Sequence, residues 1–149
     1  MPDQQTGCAG DLERRAAAFR KVREAHQTEM AEDYVELIGD LIAETGEARL
    51  TDIAGSMGVA QASASKVVAR LKREGLVDGR PYRSIFLTEA GEAMAAESRR
   101  RHKVVHDFLL ALGLDEATAA NDSEGIEHHV SEPTLTALAA LTTKLKARA

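Results

Sequence analysis

The stretch TDIAGSMGVAQASASKVVARLKREGLVDGRPYRSIFLT, residues 51–88, decides the fold. It opens on Thr51-Asp52, a pair suited to cap a short helix through Ala54 and Ser56. Met57-Gly58-Val59 then supplies a tight turn. A longer helix runs from about Ala62 to Glu74 with Val67, Val68 and Leu71 facing inward, and Gly75 stops it. Short helix, glycine-bearing turn and longer helix make the helix-turn-helix pattern. Leu76-Val77 and Ile85-Phe86-Leu87 are β-type segments on either side of a polar, basic tip, Asp78–Ser84, and predict a two-stranded hairpin. The stretch therefore predicts a winged helix-turn-helix.

Upstream, Tyr34, Leu37, Ile38, Leu41 and Ile42 recur at i, i+3, i+4, i+7 and i+8, the stripe of a helix packed on a core, and Gly46 is placed to end it. Leu12–His26 predicts a weaker amphipathic helix, and residues 1–10 a flexible tail. Downstream, Thr88 opens a long helix to about Leu112, closed by Gly113. A shorter helix covers roughly Glu116–Val130, and Ser131 with Pro133 in the first turn starts a last one. The predicted fold is mainly α. Residues 1–27 are a tail and extra helix, 28–88 a winged helix-turn-helix, and 89–149 a helical second half.

Composition narrows the function. With 149 residues, 44% hydrophobic and 29% charged, the chain can bury a real core. A net charge of -5 excludes a globally basic nucleic-acid binder, and five Phe and Tyr with no Trp are too few for a base-stacking platform. One cysteine, Cys8, excludes an internal disulfide and a cysteine-rich zinc site. No signal-peptide core opens the chain and no apolar run is long enough to span a bilayer, so the expectation is a cytoplasmic protein without membrane association.

The charge is uneven: residues 31–60 carry a balance of -6 and residues 61–101 one of +4. That basic island coincides with the predicted recognition helix and wing. Gln61, Ser63, Ser65 and Lys66 stand at the start of the helix, the end that enters a major groove in this architecture. Small hydroxyl and amide side chains there can meet phosphates or base edges without blocking approach. Lys66, Arg70, Arg80 and Arg83 would supply salt-dependent phosphate contacts to double-stranded DNA. Lys66 and Arg70 at i, i+4 also suit a plain solvated face, but helix, turn and wing all fall on the same segment.

Residues 121–129, NDSEGIEHH, place Glu124, Glu127 and His128 at i, i+3 and i+4, so that one helix face presents two carboxylates and an imidazole. Such a trio can form half of an oxygen- and nitrogen-rich site for a divalent first-row metal, although the same spacing also describes a wet helix surface. Asp33 and Glu36 flank the apolar stripe upstream, and His102 lies on the long helix.

The segments AEDYVELIGDLI, TDIAGSMGVAQASASKVVARLKREGLV, RSIFLTEAG, RRRHKVVHDFLLALGL and NDSEGIEHHVSEPTL resemble manganese-dependent transcriptional regulators of the diphtheria-toxin-repressor family, over roughly residues 20–140. The resemblance implies a homodimer that binds palindromic operator DNA and a paired metal site. It carries the ligand roles onto Asp33, Glu36, His102, Glu124, Glu127 and His128. Asp33 and Glu124 stand where the iron-responsive branch has Met and Cys, which implies Mn²⁺, one or two per subunit, with Fe²⁺ and other divalent first-row ions as alternatives. The implied role is a metal-dependent repressor of manganese-homeostasis genes. Its rival is a winged-helix repressor gated by an organic ligand or by Fe²⁺.

An enzyme is not expected. A carboxylate-bridged dimetal oxidase wants Glu-x-x-His on two helices, and no histidine here has Glu three residues before it. Several residues are set aside. His129 points about 100° away from its neighbour and reads as a surface or dimer-contact residue. His106 lies one turn from His102, His26 and Asp122 read as solvated, and Cys8 as an incidental thiol. Phe108, Leu109, Leu112 and Leu135, Leu138, Leu141, Leu145 exceed what one small helical layer covers, which suits an isologous pair.

Overall fold

The computed structural model describes residues 5–80 and 83–148, with side chains of the helices from residue 9 onward. Its elements are α1 (Gln5–Thr45), α2 (Leu50–Met57), α3 (Gln61–Arg73), β1 (Val77–Gly79), β2 (Ile85–Leu87), α4 (Glu89–Ala111), α5 (Glu116–Ile126), a 3-10 turn (Glu127–His129) and α6 (Glu132–Lys146). The tail expected over residues 1–10 lies outside the described residues as far as residue 4. From Gln5 the chain is helical, and the two helices expected over Leu12–His26 and around Tyr34 are one uninterrupted α1 of 41 residues. No Pro interrupts it. The Ala- and charge-rich stretch before residue 31 lacks an apolar stripe but has good helix formers.

Two clusters hold the fold. The larger joins α1 through Tyr34, Val35 and Ile38 to Ile53, Ala64, Val68, Leu71, Leu76, Val77 and Ile85, so the predicted stripe packs directly on the helix-turn-helix and wing. Leu37, Leu41, Ile42 and Val67 are only partly buried at its margin. The smaller cluster joins α4, α5 and α6 through Val105, Leu109, Ala119 and Leu135. Leu112 and Leu141 remain exposed beside it.

Local signals explain most boundaries. Gly58 caps α2 in the left-handed region (φ 68°), and Val59 N–H donates to Ala54 O at 3.0 Å to close the turn. Thr51-Asp52 does not cap α2. Arg49 takes that position with an extended backbone and no side-chain bond, because Leu50 is already helical. The wing pairs Val77 with Leu87 and Gly79 with Ile85 in antiparallel register, and Ile85 also bridges Ala48. Thr88 caps α4 by accepting from Gly91 N–H at 3.2 Å. The helix expected to reach Val130 stops at Ile126, and the chain tightens into the 3-10 turn.

Candidate metal centre and DNA-binding face

Glu127 is the centre of the junction between the two clusters. It is 2% exposed, in a place where an isolated carboxylate would be costly. One oxygen meets His102 Nδ1 of α4 at 2.6 Å, and the other lies 3.4 Å from His128 Nε2. His128 in turn meets Asp33 Oδ1 of α1 at 3.1 Å through Nε2 and Glu32 Oε2 at 2.5 Å through Nδ1. Glu124 is mostly exposed, with Oε1 3.6 Å from His102 Nδ1. Donor atoms within 4.8 Å of one another form two groups here, His102–Glu124–Glu127 and Glu29–Asp33–His128.

The electrostatics follow from this packing. Burial pushes the Glu127 carboxyl up to about 7, against the opposing pull of His102. The Asp33 and Glu32 carboxylates push His128 up to about 10 despite its burial. Protons are thus retained where five carboxylates and two imidazoles converge, and each is a proton that a cation can replace. Every donor is a carboxylate oxygen or an imidazole nitrogen, a set that fits hard to borderline divalent ions.

Of the sequence-predicted ligands, Asp33, His102, Glu124, Glu127 and His128 come together. Glu36 does not join either donor group among the described residues; its Oε2 accepts from Ser98 Oγ at 2.9 Å. His106 is stacked on His102 (ring centroids 5.7 Å, 14°) but its Nε2 is taken by Glu116 at 2.9 Å. Glu29 and Glu32 were missed. Their signal was the helical ladder they form with Asp33 and Glu36 on α1. Arg101 was also missed. It donates from Nε to Glu127 O at 2.9 Å and from its terminal nitrogen to Val130 O, and so holds the 3-10 turn from α4.

The second face is the groove between α3 and the wing, where Gln61 and Ser65 meet Arg80 and Arg83, with Arg49 and Lys72 beside them. Ser63 and Lys66 are exposed on α3 outside that groove. Lys72 ties the helix to the wing by donating to Gly79 O at 2.7 Å. Arg70 departs from the expected phosphate-contact set. It is turned toward the α1 extension, donating to Gln27 O at 3.1 Å and pairing with Glu74 at 3.5 Å.

A winged helix and a second helical unit, joined by a long helix and by a buried carboxylate–imidazole cluster, define a metal-dependent DNA-binding regulator. Comparison with known proteins agrees. Residues 26–85 match "Iron dependent repressor, N-terminal DNA binding domain", and residues 88–148 match "Iron dependent repressor, metal binding and dimerisation domain". The chain is 50% identical over 134 residues to "Transcriptional regulator MntR" of Escherichia coli O6:H1, covering 90% of this chain and 86% of that one. It is 40% identical over 104 residues to "HTH-type transcriptional regulator MntR" of Lysinibacillus sphaericus, covering 70% and 75%. A solved structure, "Manganese-dependent transcriptional repressor complex with manganese", superposes with a TM-score of 0.67 at 27% identity, over 76% of this chain and 52% of that one. The chain spans about half the length of that structure. The chain belongs to the diphtheria-toxin-repressor family of metal-dependent transcriptional regulators. It binds a divalent metal and DNA, and no described helix is long and apolar enough to cross a membrane.

Proposed function

We propose that the chain is a Mn²⁺-responsive repressor of manganese-homeostasis genes, acting in the cytoplasm as a homodimer on palindromic operator DNA. The observation that carries this is Glu127, a single buried carboxylate reaching His102 on α4 with one oxygen and His128, hence α1, with the other. Functionally, residues 28–88 present the DNA-binding face and 89–149 the metal-binding and dimerising surface, with 1–27 extending α1. The two donor groups around Glu127 support two ions per subunit, held by His102, Glu124 and Glu127 on one side and by Asp33 and His128 with Glu29 on the other. Carboxylate-rich donors and the names of the relatives favour Mn²⁺ over softer metals.

Bound divalent metal supplies the positive charge that the clustered carboxylates lack. Without it, Glu29, Glu32, Asp33, Glu124 and Glu127 repel one another, and the Asp33 and Glu32 carboxylates on α1 are tied to His128 of the 3-10 turn through shared protons. With that repulsion offset, Asp33 on α1 and His102 on α4 keep a fixed relation, and two recognition helices of a dimer meet DNA at one spacing. The gain is in ordering rather than in new DNA contacts, and linkage makes it reciprocal, typically about 1–3 kcal/mol. Gln61, Ser63 and Ser65 stand exposed in the first turns of α3, where they can meet base edges or phosphates, while Lys66, Arg80 and Arg83 provide charge for phosphates.

The test is a DNA-binding titration in EDTA and in Mn²⁺. Wild type should lose specific binding in EDTA and regain it with Mn²⁺. Glu127→Ala should lose the Mn²⁺ response and keep weak non-specific binding, because the basic face is untouched. Mn²⁺-dependent operator binding by Glu127→Ala would remove the cluster as the switch.

A further inference from the structure

A third group of donors lies outside the centre around Glu127. His26 and Glu29, at i and i+3 on α1, converge with His129, the last residue of the 3-10 turn, and one donor atom of each lies within 4.8 Å of the others. His129 Nε2 is 3.1 Å from Glu29 Oε2. The His26 and His129 rings stand edge to face with centroids 6.1 Å apart. A surface His–Glu pair would account for His129 and Glu29 alone, and such a pair is worth little. It does not account for the His26 ring, which makes no hydrogen bond among the described residues yet has a ring nitrogen within 4.8 Å of donor atoms of both Glu29 and His129.

The chemistry of the trio differs from that of the buried centre. Two imidazole nitrogens and one carboxylate oxygen make the donor set of an open, tetrahedral zinc-type site, with a fourth position left to solvent. Nitrogen-rich donors rank Zn²⁺ and its neighbours well above Mn²⁺, whereas the carboxylate-rich cluster narrows that difference. Access differs as well. His26 and His129 are exposed and Glu29 half-buried, so a cation reaches them without disturbing the core, while Glu127 and His128 are sealed. We propose that His26, Glu29 and His129 form a separate site for a zinc-type divalent cation that fastens the α1 extension to the 3-10 turn.

Two consequences follow from the placement. Glu29 belongs to both this trio and the Asp33–His128 group, so a cation held by His26 and His129 draws on a carboxylate that the inner group also uses. The His129 ring stands edge to face with that of His128 at 6.5 Å, so the clamp is one residue from the inner donors. Occupancy of the outer site therefore restrains the backbone that presents His128.

The experiment counts metal on the full-length chain by equilibrium dialysis against Zn²⁺ and, separately, against Mn²⁺. His26→Ala/His129→Ala should bind about one Zn²⁺ per chain fewer than wild type, with an unchanged Mn²⁺ count and unchanged Mn²⁺-dependent DNA binding. An unchanged Zn²⁺ count overturns the site. If the double variant also loses Mn²⁺, His26→Gln carries the test. It should weaken the last Zn²⁺ at least tenfold with the Mn²⁺ isotherm unmoved, and an unmoved Zn²⁺ isotherm overturns the proposal. Loss of one Zn²⁺ in a chain whose wild type binds no Mn²⁺ would support the outer site and sink the manganese reading separately.

Discussion

Gly91, in the first turn of α4, is where the DNA-binding half is pressed against the helix that leads to the metal centre. A Cβ added there would stand 2.0 Å from Leu76 O and 3.1 Å from Leu76 C. Cβ atoms essentially never approach a neighbour closer than 3.0 Å, so the two backbones must part by about 1 Å. That movement strains three bonds: Thr88 Oγ1 to Gly75 O at 2.6 Å, Thr88 N–H to Leu76 O at 3.1 Å, and Gly91 N–H to Thr88 Oγ1 at 3.2 Å. Overpacking of this kind costs about 1–3 kcal/mol, and each weakened hydrogen bond adds about 0.5–1.5 kcal/mol. The helix propensity gained by Gly→Ala returns only about 1 kcal/mol, so Gly91→Ala should be destabilising by roughly 2–6 kcal/mol. Gly55→Ala in α2 is the control, because nothing lies within 4 Å of its added Cβ. There the same substitution should stabilise by about 0.4–1 kcal/mol. Urea unfolding followed by circular dichroism reads both as shifts of midpoint in opposite directions. A Gly91→Ala midpoint at or above that of wild type would refute the close approach of α4 to Leu76.

Arg101→Met keeps the aliphatic stem but removes both donors to the 3-10 turn, and isothermal titration should show metal affinity about 10–100-fold lower. Neutralising Lys66 or Arg80 should flatten the dependence of DNA affinity on log salt by about 1, whereas Arg70→Gln, whose guanidinium is spent on Gln27, should leave that slope in place. In EDTA, Glu127 and His128 both hold protons more tightly folded than unfolded. Their contributions are fully present below about 4.5 and 6.5 and are lost as pH rises through about 7 and about 10, so metal-free stability should fall from pH 5 to 9 in thermal melts. Glu127→Gln should remove the part of that fall that lies between about pH 4.5 and 7. With saturating Mn²⁺ the trend between pH 5 and 7 should reverse, because metal uptake then releases those protons.

The sequence was most legible where a pattern had one physical meaning. The 3.6-residue stripe from Tyr34 to Ile42 faces the core, and Gly46, Gly58 and Gly75 end helices in the left-handed region. Thr88 caps α4 by its side chain. It was least legible where structure comes without an apolar stripe. Among the described side chains, residues 9–30 of α1 bury almost nothing, with Leu12 and Phe19 exposed, so periodicity could not show that one helix runs through them. That continuity also decided the position of Arg70, because the carbonyl of Gln27 exists as a partner only if α1 extends back beyond the DNA-binding half.

At the candidate metal centre the sequence pointed to Asp33, His102, Glu124, Glu127 and His128, which come together, but not to Glu29 and Glu32 or to the displacement of Glu36. The arrangement was illegible, and the reason is the three-residue break after Ile126. Continued as an α-helix, Glu124, Glu127 and His128 would share one face and serve one ion as a unit. The chain instead passes into a 3-10 turn, in which successive side chains stand about 120° apart. Glu127 is thereby aimed at His102 on α4, His128 at Glu32 and Asp33 on α1, and His129 at Glu29 further along α1. Three consecutive residues thus reach four partners on two helices. Arg101, donating to the carbonyls of Glu127 and Val130, holds both ends of the turn that makes this possible. The break converts a one-faced ligand stripe into a joint between the DNA-binding and dimerising halves, and only a joint can let metal occupancy set the relation between them.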